Sequence, residues 1–153
     1  MDTLPPGLII RHAELQDAQE ISRLTLQLGY ERSAESVRRW IECLGTRMDH
    51  QVAFVACIDE EVVGWIEVSL QNRIQTTPFA LIGGLVVREG TRGAGVGRVL
   101  CAEAEVWARQ HKLESIRVTS RSTREAAHRF YLRDGYRAVK TSLVFEKNLL
   151  DNA

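Results

Sequence analysis

The stretch Leu85-Val86-Val87-Arg88-Glu89-Gly90-Thr91-Arg92-Gly93-Ala94-Gly95-Val96-Gly97-Arg98 decides how this chain is read. It passes from an apolar, β-branched run into a glycine-rich turn. Beyond the turn, Val96, Leu100, Ala104 and Trp107 recur at helical spacing, with Glu105 and Arg109 as an i,i+4 pair on the polar side. The pattern predicts a strand, a loop and a long helix running from near Gly95 to about His111. A helix N-terminus offers unpaired N–H groups and the positive end of its dipole, so anions settle there. Gly93, Gly95 and Gly97 keep three Cβ atoms out of the approach, and Arg92 and Arg98 add positive charge. Together these residues read as a nest for a diphosphate.

Two better-known phosphate loops fit less well. A Walker loop requires a lysine followed by Ser or Thr after its glycines, and none stands here. A dinucleotide fingerprint follows the first strand of a parallel sheet, whereas this loop follows three strands that read as antiparallel. The remaining alternative is a tight turn that merely caps a helix. The strand before the loop, the helix after it and the flanking arginines weigh against that.

Leu8 to Arg11 reads as a first strand. Asp17 and Glu20 resemble a capping pattern ahead of Ile21, Leu24 and Leu28, with Gly29 as the stop. Ser33 opens a second helix with Val37, Trp40, Ile41 and Leu44 on one face, ended by Gly45. Val52 to Ile58 and Val62 to Leu70 form an antiparallel hairpin around Asp59-Glu60-Glu61. Phe79 to Val87 is the next strand, and Gly83-Gly84 within it suggests a bulge or a close backbone approach. Ser115 to Thr119 follows the long helix as a short strand. Ser122-x-x-Glu125 reads as a capping box for a helix that passes through Phe130 and Tyr131 and closes at Gly135. Tyr136 to Val139 and Ser142 to Phe145 read as two last strands. The order is β-α-α-β-β-β-α-β-α-β-β. This is an α/β chain with a mixed, mostly antiparallel sheet of about seven strands and four helices, and one βαβ crossover spans the loop. A single domain over residues 1–153, with its core at about 8–147, is expected.

Bulk properties narrow the class. The 153 residues are 44% apolar, which suits one globular core. No apolar run nears the ~20 residues of a membrane span. Met1 to Gly7 carries an acid and two prolines and does not resemble a secretory leader. A cytoplasmic protein without membrane contact is the expectation. Cys43, Cys57 and Cys101 lack metal-ligand or disulfide spacing and read as buried free thiols. No metal is expected. The net charge is zero but uneven: residues 1–77 hold 7 basic and 12 acidic side chains, residues 78–153 hold 13 and 8. The second half is the better host for an anion, while the excess is too small for nucleic-acid binding.

These features resemble the GNAT superfamily of N-acetyltransferases. Its acetyl-CoA motif, [RQ]-x-x-G-x-[GA] after a strand, is matched by Arg92, Gly95 and Gly97. A second motif, A-x-x-[FL]-Y-x-x-x-G-[FY], is matched by Ala127, Phe130, Tyr131, Gly135 and Tyr136. The element order agrees from about Leu8 to Lys147. The chain departs from the family in carrying Arg124 where many members have Asn, and in lacking an acid between Phe79 and Val87. The resemblance implies that acetyl-CoA is the co-substrate. It places the diphosphate on Arg92, Gly93, Ala94, Gly95, Val96, Gly97 and Arg98, and the pantetheine arm and acetyl carbonyl along Leu85, Val86 and Val87. It implies direct transfer to an amine in a ternary complex, with Tyr131 protonating the departing thiolate. Dimers are common in the family, so a homodimer is one expectation.

At neutral pH an amine with a pKa of ~10.4 is free base in about one molecule per thousand, so the site needs a base. Glu67 is the only ionised side chain in its strand and shares a face with Trp65 and Ser69. It is the candidate base, against the plainer reading of an acid on an outer sheet face. His128 lies three residues before Tyr131 and reads as a surface histidine. Three function classes stay open. The first is an enzyme acetylating a small amine, aminoglycoside-like or polyamine-like by analogy, with Glu31, Glu35, Glu42 and Asp49 as acids for a cationic acceptor. The second is an enzyme acetylating protein N-termini or lysines. The third is a silent acyl-CoA sensor. Tyr30 to Ser33 and Arg73 to Thr77 lie in segments that would meet the acceptor.

Overall fold

The computed structural model describes residues 3–46 and 49–150. Met1 and Asp2 of the N-terminal stretch, and the end of the expected 1–153 domain, lie outside the described residues. The chain falls into two compact units, Met1–Thr119 and Ser120–Ala153.

The first unit holds β1 (Leu8–His12), α1 (Ala18–Thr25), α2 (Ala34–Leu44), β2 (Gln51–Ile58), β3 (Glu61–Gln71), β4 (Phe79–Val87), α3 (Val96–Gln110) and β5 (Ile116–Val118). Single 3₁₀ turns occupy Leu15–Asp17, Leu26–Leu28 and Glu89–Thr91. The strands lie in sequence order, β1-β2-β3-β4-β5. The first four are antiparallel, and β5 runs parallel to β4. A parallel neighbour requires a crossover, which α3 supplies.

The helical stripes seen in the sequence pack where expected. Ile21 and Leu24 of α1 and Val37 and Ile41 of α2 are buried against Val55, Cys57, Val62 and Val86 of the sheet. Trp40 and Trp65 pack at the margin of this cluster. The other sheet face carries α3. A Cβ added at Gly64 would lie 3.3 Å from Leu100 Cδ1. Val96, Leu100, Ala104 and Trp107 of α3 are all buried. Ser33 caps α2 by accepting from the Ser36 N–H at 3.0 Å.

Several expectations are corrected. The sheet has five strands among the described residues, not about seven. Tyr136 to Val139 and Ser142 to Phe145 make no ladder, and Val139, Leu143, Val144 and Phe145 are exposed. Their β-branched and aromatic residues favour extended backbone, but a strand also needs a neighbour that local composition does not encode. Cys57 and Cys101 are buried thiols, whereas Cys43 is exposed, because it falls off the Val37/Ile41 face of α2. Asp17 does not cap α1. Its carboxylate accepts from Arg11 at 2.7 and 2.9 Å and from the Glu14 N–H at 2.7 Å.

The second unit contains α4 (Glu125–Arg133). The expected Ser122 capping box does not form. Arg124 is the N-cap, with no side-chain cap. The C-terminus closes as expected at Gly135, with φ at +92°. Gly135 N–H donates to Leu132 O and Tyr136 N–H to Tyr131 O, the paired bonds of a Schellman ending.

Asp17 is only 3% exposed and its two oxygens take three donors, so the pair with Arg11 ties β1 to the start of α1. The carboxylate raises the already high pKa of Arg11, chiefly by hydrogen bonding. Removing one partner of such a pair strands the other charge, at about 3–5 kcal/mol. Asp17→Ala is expected to lower unfolding free energy by roughly 3 kcal/mol, read as a shifted urea midpoint with an unchanged slope.

Candidate active site

Strand β4 changes partners halfway along. Ala80, Leu81 and Ile82 pair with Ile116, Arg117 and Val118 of β5, and the parallel ladder ends there. On its other side, β4 stays paired with β3 up to Val87, but the register slips: Val68 faces Ile82 and Glu67 faces Gly84. Gly83 is the extra residue, the bulge its sequence suggested.

The bulge reverses the alternation of the strand. Ala80 N–H donates to Ser115 O on the β5 side. Beyond the bulge, Arg88 N–H donates to Val63 O on the β3 side, at 2.7 Å. Backbone groups alternate, so those of Leu85 and Val87 point away from β3, where the described sheet has no strand beyond Ile82. Val87 O accepts there from Gln27 Nε2 at 2.9 Å and from Arg92 Nε at 3.3 Å. Val86 turns its side chain into the buried cluster under α1 and α2. Leu85, Val86 and Val87 thus present backbone and side chains to opposite needs, an open edge and a core.

The glycine loop sits next to this edge. Gly93 and Gly95 have φ of +86° and +88°, a region costly for residues with a Cβ. Ala94 N–H reaches Thr91 O at 3.4 Å, and Val99 N–H bonds Gly95 O. The N–H groups of Gly93, Gly95, Val96, Gly97 and Arg98 find no acceptor among the described residues. Arg92 and Arg98 are exposed beside them. Five free donors at the head of a fifteen-residue helix fit a diphosphate by the chemistry of the donors alone.

Glu67 lies at the point where β4 leaves β5. A Cβ at Gly83 would overlap the Glu67 carboxylate, so the acid rests directly on the bulge. A Cβ at Gly84 would lie 2.6 Å from the Trp65 ring. The glycine pair therefore makes room for both side chains. Glu67 Oε1 accepts from Gln51 Nε2 at 3.3 Å. Burial raises the pKa of this carboxyl, and the Gln51 bond partly offsets the rise. The Trp65 indole N–H is buried without an acceptor among the described residues.

Tyr131 belongs to the second unit. Its ring stands edge-on to Phe130 at 5.1 Å and to Tyr136 at 5.6 Å. A ring nitrogen of His128 bonds Arg121 O at 2.8 Å, which holds the turn before α4. The structure thus gathers Glu67, the glycine pair and the Leu85–Val87 edge within the first unit. Sequence reasoning missed Gln27 and Gln51. Neither carries a local signal, because each acts on a residue distant in sequence. No group of three or more His, Cys, Asp or Glu suited to a metal occurs among the described residues, and no described helix is long and apolar enough to cross a membrane.

An open strand edge leading to an N–H nest at a helix head, with a half-buried acid beside it, is an arrangement suited to acyl transfer from a diphosphate-bearing donor. Residues 15–136 match the acetyltransferase (GNAT) family, and the chain belongs to that family. It is 32% identical over 135 residues to an aminoalkylphosphonate N-acetyltransferase of Salmonella typhimurium, covering 86% of each chain. It is 30% identical over 105 residues to an aminoglycoside N(6')-acetyltransferase type 1 of Stenotrophomonas maltophilia, covering 65% of this chain and 69% of that one. The fold matches that of the aminoglycoside N-acetyltransferase AAC(6')-Iy, solved in complex with CoA, at a TM-score of 0.82 and 17% identity, over 95% and 99% of the two chains.

Gly83→Ala tests whether the bulge seats the acid. The added methyl drives the Glu67 carboxylate from its place, while the flexible end of that side chain absorbs the clash. Turnover is expected to fall about 10-fold or more, with a melting temperature within a few degrees of wild type. Steady-state kinetics beside a thermal melt reads both. Unchanged turnover would show that the position of Glu67 does not matter.

Proposed function

We propose that this N-acetyltransferase moves the acetyl group of acetyl-CoA to the primary amine of a small molecule by direct attack. The reading rests on one observation above others: the open edge of β4 runs from five unpaired N–H groups to a half-buried carboxylate. Its relatives named for aminoalkylphosphonates and aminoglycosides share a small amine acceptor. In this reading both units serve one acetyltransferase domain.

The diphosphate of the donor is held by the loop from Arg92 to Arg98, and its arm lies along Leu85 to Val87. Gln27 and Arg92 fix the Val87 carbonyl and with it the end of that edge. Glu67 receives the proton of the acceptor ammonium, directly or through water. A raised pKa makes it a better base than an exposed carboxylate. The amine nitrogen attacks the acetyl carbonyl carbon, and a backbone N–H of the Leu85–Val87 edge stabilises the oxyanion. The C–S bond then breaks: Tyr131 gives its phenol proton to the thiolate and regains one from the nitrogen, which leaves as a neutral amide, and Glu67 returns its proton to solvent.

Thiol release from acetyl-CoA, followed over a panel of small amines and a peptide with a free N-terminus and lysine, tests the function. Release that depends on a small amine supports it. Release with the peptide alone, or donor binding without turnover on any acceptor, would replace it with the protein-directed or sensor reading. Tyr131→Phe is expected to lower turnover about 10²-fold or more while donor affinity holds. Unchanged turnover removes Tyr131 as the acid.

Glu67 makes a further prediction in pH. As a base it must be ionised, so wild-type activity falls as pH drops through its raised pKa, and Glu67→Gln loses that limb. The stability effect runs the other way. A raised folded pKa means that the folded protein holds the proton more tightly than the unfolded chain. The stabilisation is full below the unfolded carboxylate pKa and is lost as pH rises through the folded one. Glu67→Gln, always neutral, is therefore expected to melt about 1–3 °C higher than wild type near pH 8, with the gap closing near pH 4. A retained acidic limb in the rate profile would exclude Glu67 as the base.

A further inference from the structure

One aromatic ring in the first unit collects two positive charges. Phe79, at the head of β4, is 1% exposed. The guanidinium of Arg117 lies 4.2 Å from its ring centroid, and that of Arg73 lies 5.1 Å away. Each contact is favourable alone, since a guanidinium is attracted to the face of an aromatic ring. Together they bring two like charges within about 9 Å of each other, a repulsion that an anion between them would offset.

No protein anion does. Arg11, Arg23, Arg88 and Arg109 each face a carboxylate. Arg73 and Arg117 make no ion pair and no hydrogen bond among the described residues. The chain from Val68 to Arg88 contains no acid at all. Glu114, three residues before Arg117, pairs with neither arginine. The same loop as Arg73 holds a further idle group: the Thr76 hydroxyl is buried and has no partner among the described residues.

The register shows what this cluster faces. Gln71 lies opposite Phe79, Ser69 opposite Leu81, and Leu81 beside Arg117. Glu67 is two residues before Ser69 on the same strand. Paired residues share a sheet face, so Arg117, Phe79, Gln71, Ser69 and Glu67 lie on one side of the sheet. Gln71 Nε2 donates to Ser69 Oγ at 2.9 Å, which makes the surface between them polar. An acid stands at one end of this surface and two unpaired guanidiniums at the other.

We propose that Arg73 and Arg117 form a binding site for an anionic group on the acceptor, a phosphonate or phosphate carried on a short chain with the amine at its far end. The proposal rests on the acetyl-transfer reading with Glu67 as the base, and adds the charge and polarity of the acceptor. A dianionic tetrahedral group matches two planar guanidinium forks in charge and in hydrogen-bond geometry. A polycation would meet repulsion at the same place. The bound acceptor lies with its ammonium at Glu67 and its anion at the arginines.

Aminoethylphosphonate, aminoethyl phosphate, propylamine and spermidine, assayed at saturating acetyl-CoA, test this. The wild type is expected to favour the two anionic amines over propylamine by about 10²-fold in kcat/KM, and their mutual ratio assigns phosphonate or phosphate ester. Arg117→Gln and Arg73→Gln should each lower kcat/KM for the anionic amines about 10-fold or more, mostly through KM. Propylamine turnover and acetyl-CoA affinity should stay as they were. Arg117→Lys should restore part of the loss. Arg73 is exposed, so its variant cannot owe a loss to a broken core. Spermidine or propylamine preferred over the anionic amines, or equal losses on charged and neutral acceptors, would overturn the proposal while leaving acetyl transfer intact. If no amine is acetylated, the transfer reading fails by itself. Calorimetric binding of aminoethylphosphonate then decides the site: binding abolished by Arg117→Gln upholds it, and no binding to wild type overturns it.

Discussion

The release of β4 from β5 after Ile82 is the constraint on which the rest of the site depends. A parallel ladder continued to Val87 would consume the edge groups of Leu85 and Val87 in strand pairing. Ending it at Ile82 leaves the Val87 carbonyl to Gln27 and Arg92 and the Leu85 groups without a strand partner among the described residues. The bulge at Gly83 makes the change tolerable to the core. It reverses the facing of the strand, so Val86 enters the cluster below α1 and α2 while the backbone on either side of it stays accessible.

The same bulge places the acid. Two missing side chains, at Gly83 and Gly84, are filled by the Glu67 carboxylate and the Trp65 ring. This is packing by substitution: a polar group and an aromatic from β3 complete a surface that β4 leaves bare. Such a seat has an energetic cost, because the carboxylate loses water and gains only the Gln51 amide. Asp17 is the contrast. It is more deeply buried, yet three donors surround it, and it stabilises the fold. A buried acid with full partners reads as structure, and one with a single long hydrogen bond beside an open edge reads as chemistry.

Much of this was legible in the sequence, for reasons that can be located. Helical stripes report burial directly, so Val37 and Ile41, or Leu100 and Trp107, announced their faces. Glycines report backbone that needs room, so the loop at Gly93 and Gly95 and the bulge at Gly83 were both visible. The failures share a different cause. Tyr136 to Phe145 has strand composition without a strand partner, and pairing is a property of two segments. Ser122 and Asp17 carry capping chemistry, but Asp17 has a stronger partner in Arg11, which local spacing does not reveal. Gln27, Gln51 and the Arg73–Arg117 pair are meetings of residues far apart in the chain. Turns, loops and strands bring them together in the fold, and local composition encodes none of those meetings.

The sheet also acts as a ruler. Neighbouring strands lie about 4.8 Å apart, and alternate residues on one strand about 6.8 Å. Glu67 on β3 and Arg117 on β5 are separated by two strand spacings and one such step, since Ser69, Leu81 and Arg117 form one row. Their Cα atoms are therefore about 12 Å apart. The two side chains must cover part of that distance, and the acceptor must cover the rest. A long flexible diamine or a bulky sugar would not need the span to be short. An amine and an anion joined by a few bonds would. Under the proposed reading, the polarity of this one sheet face, acid at the bulge and guanidiniums at the strand head, sets the length of the acceptor as well as its charge.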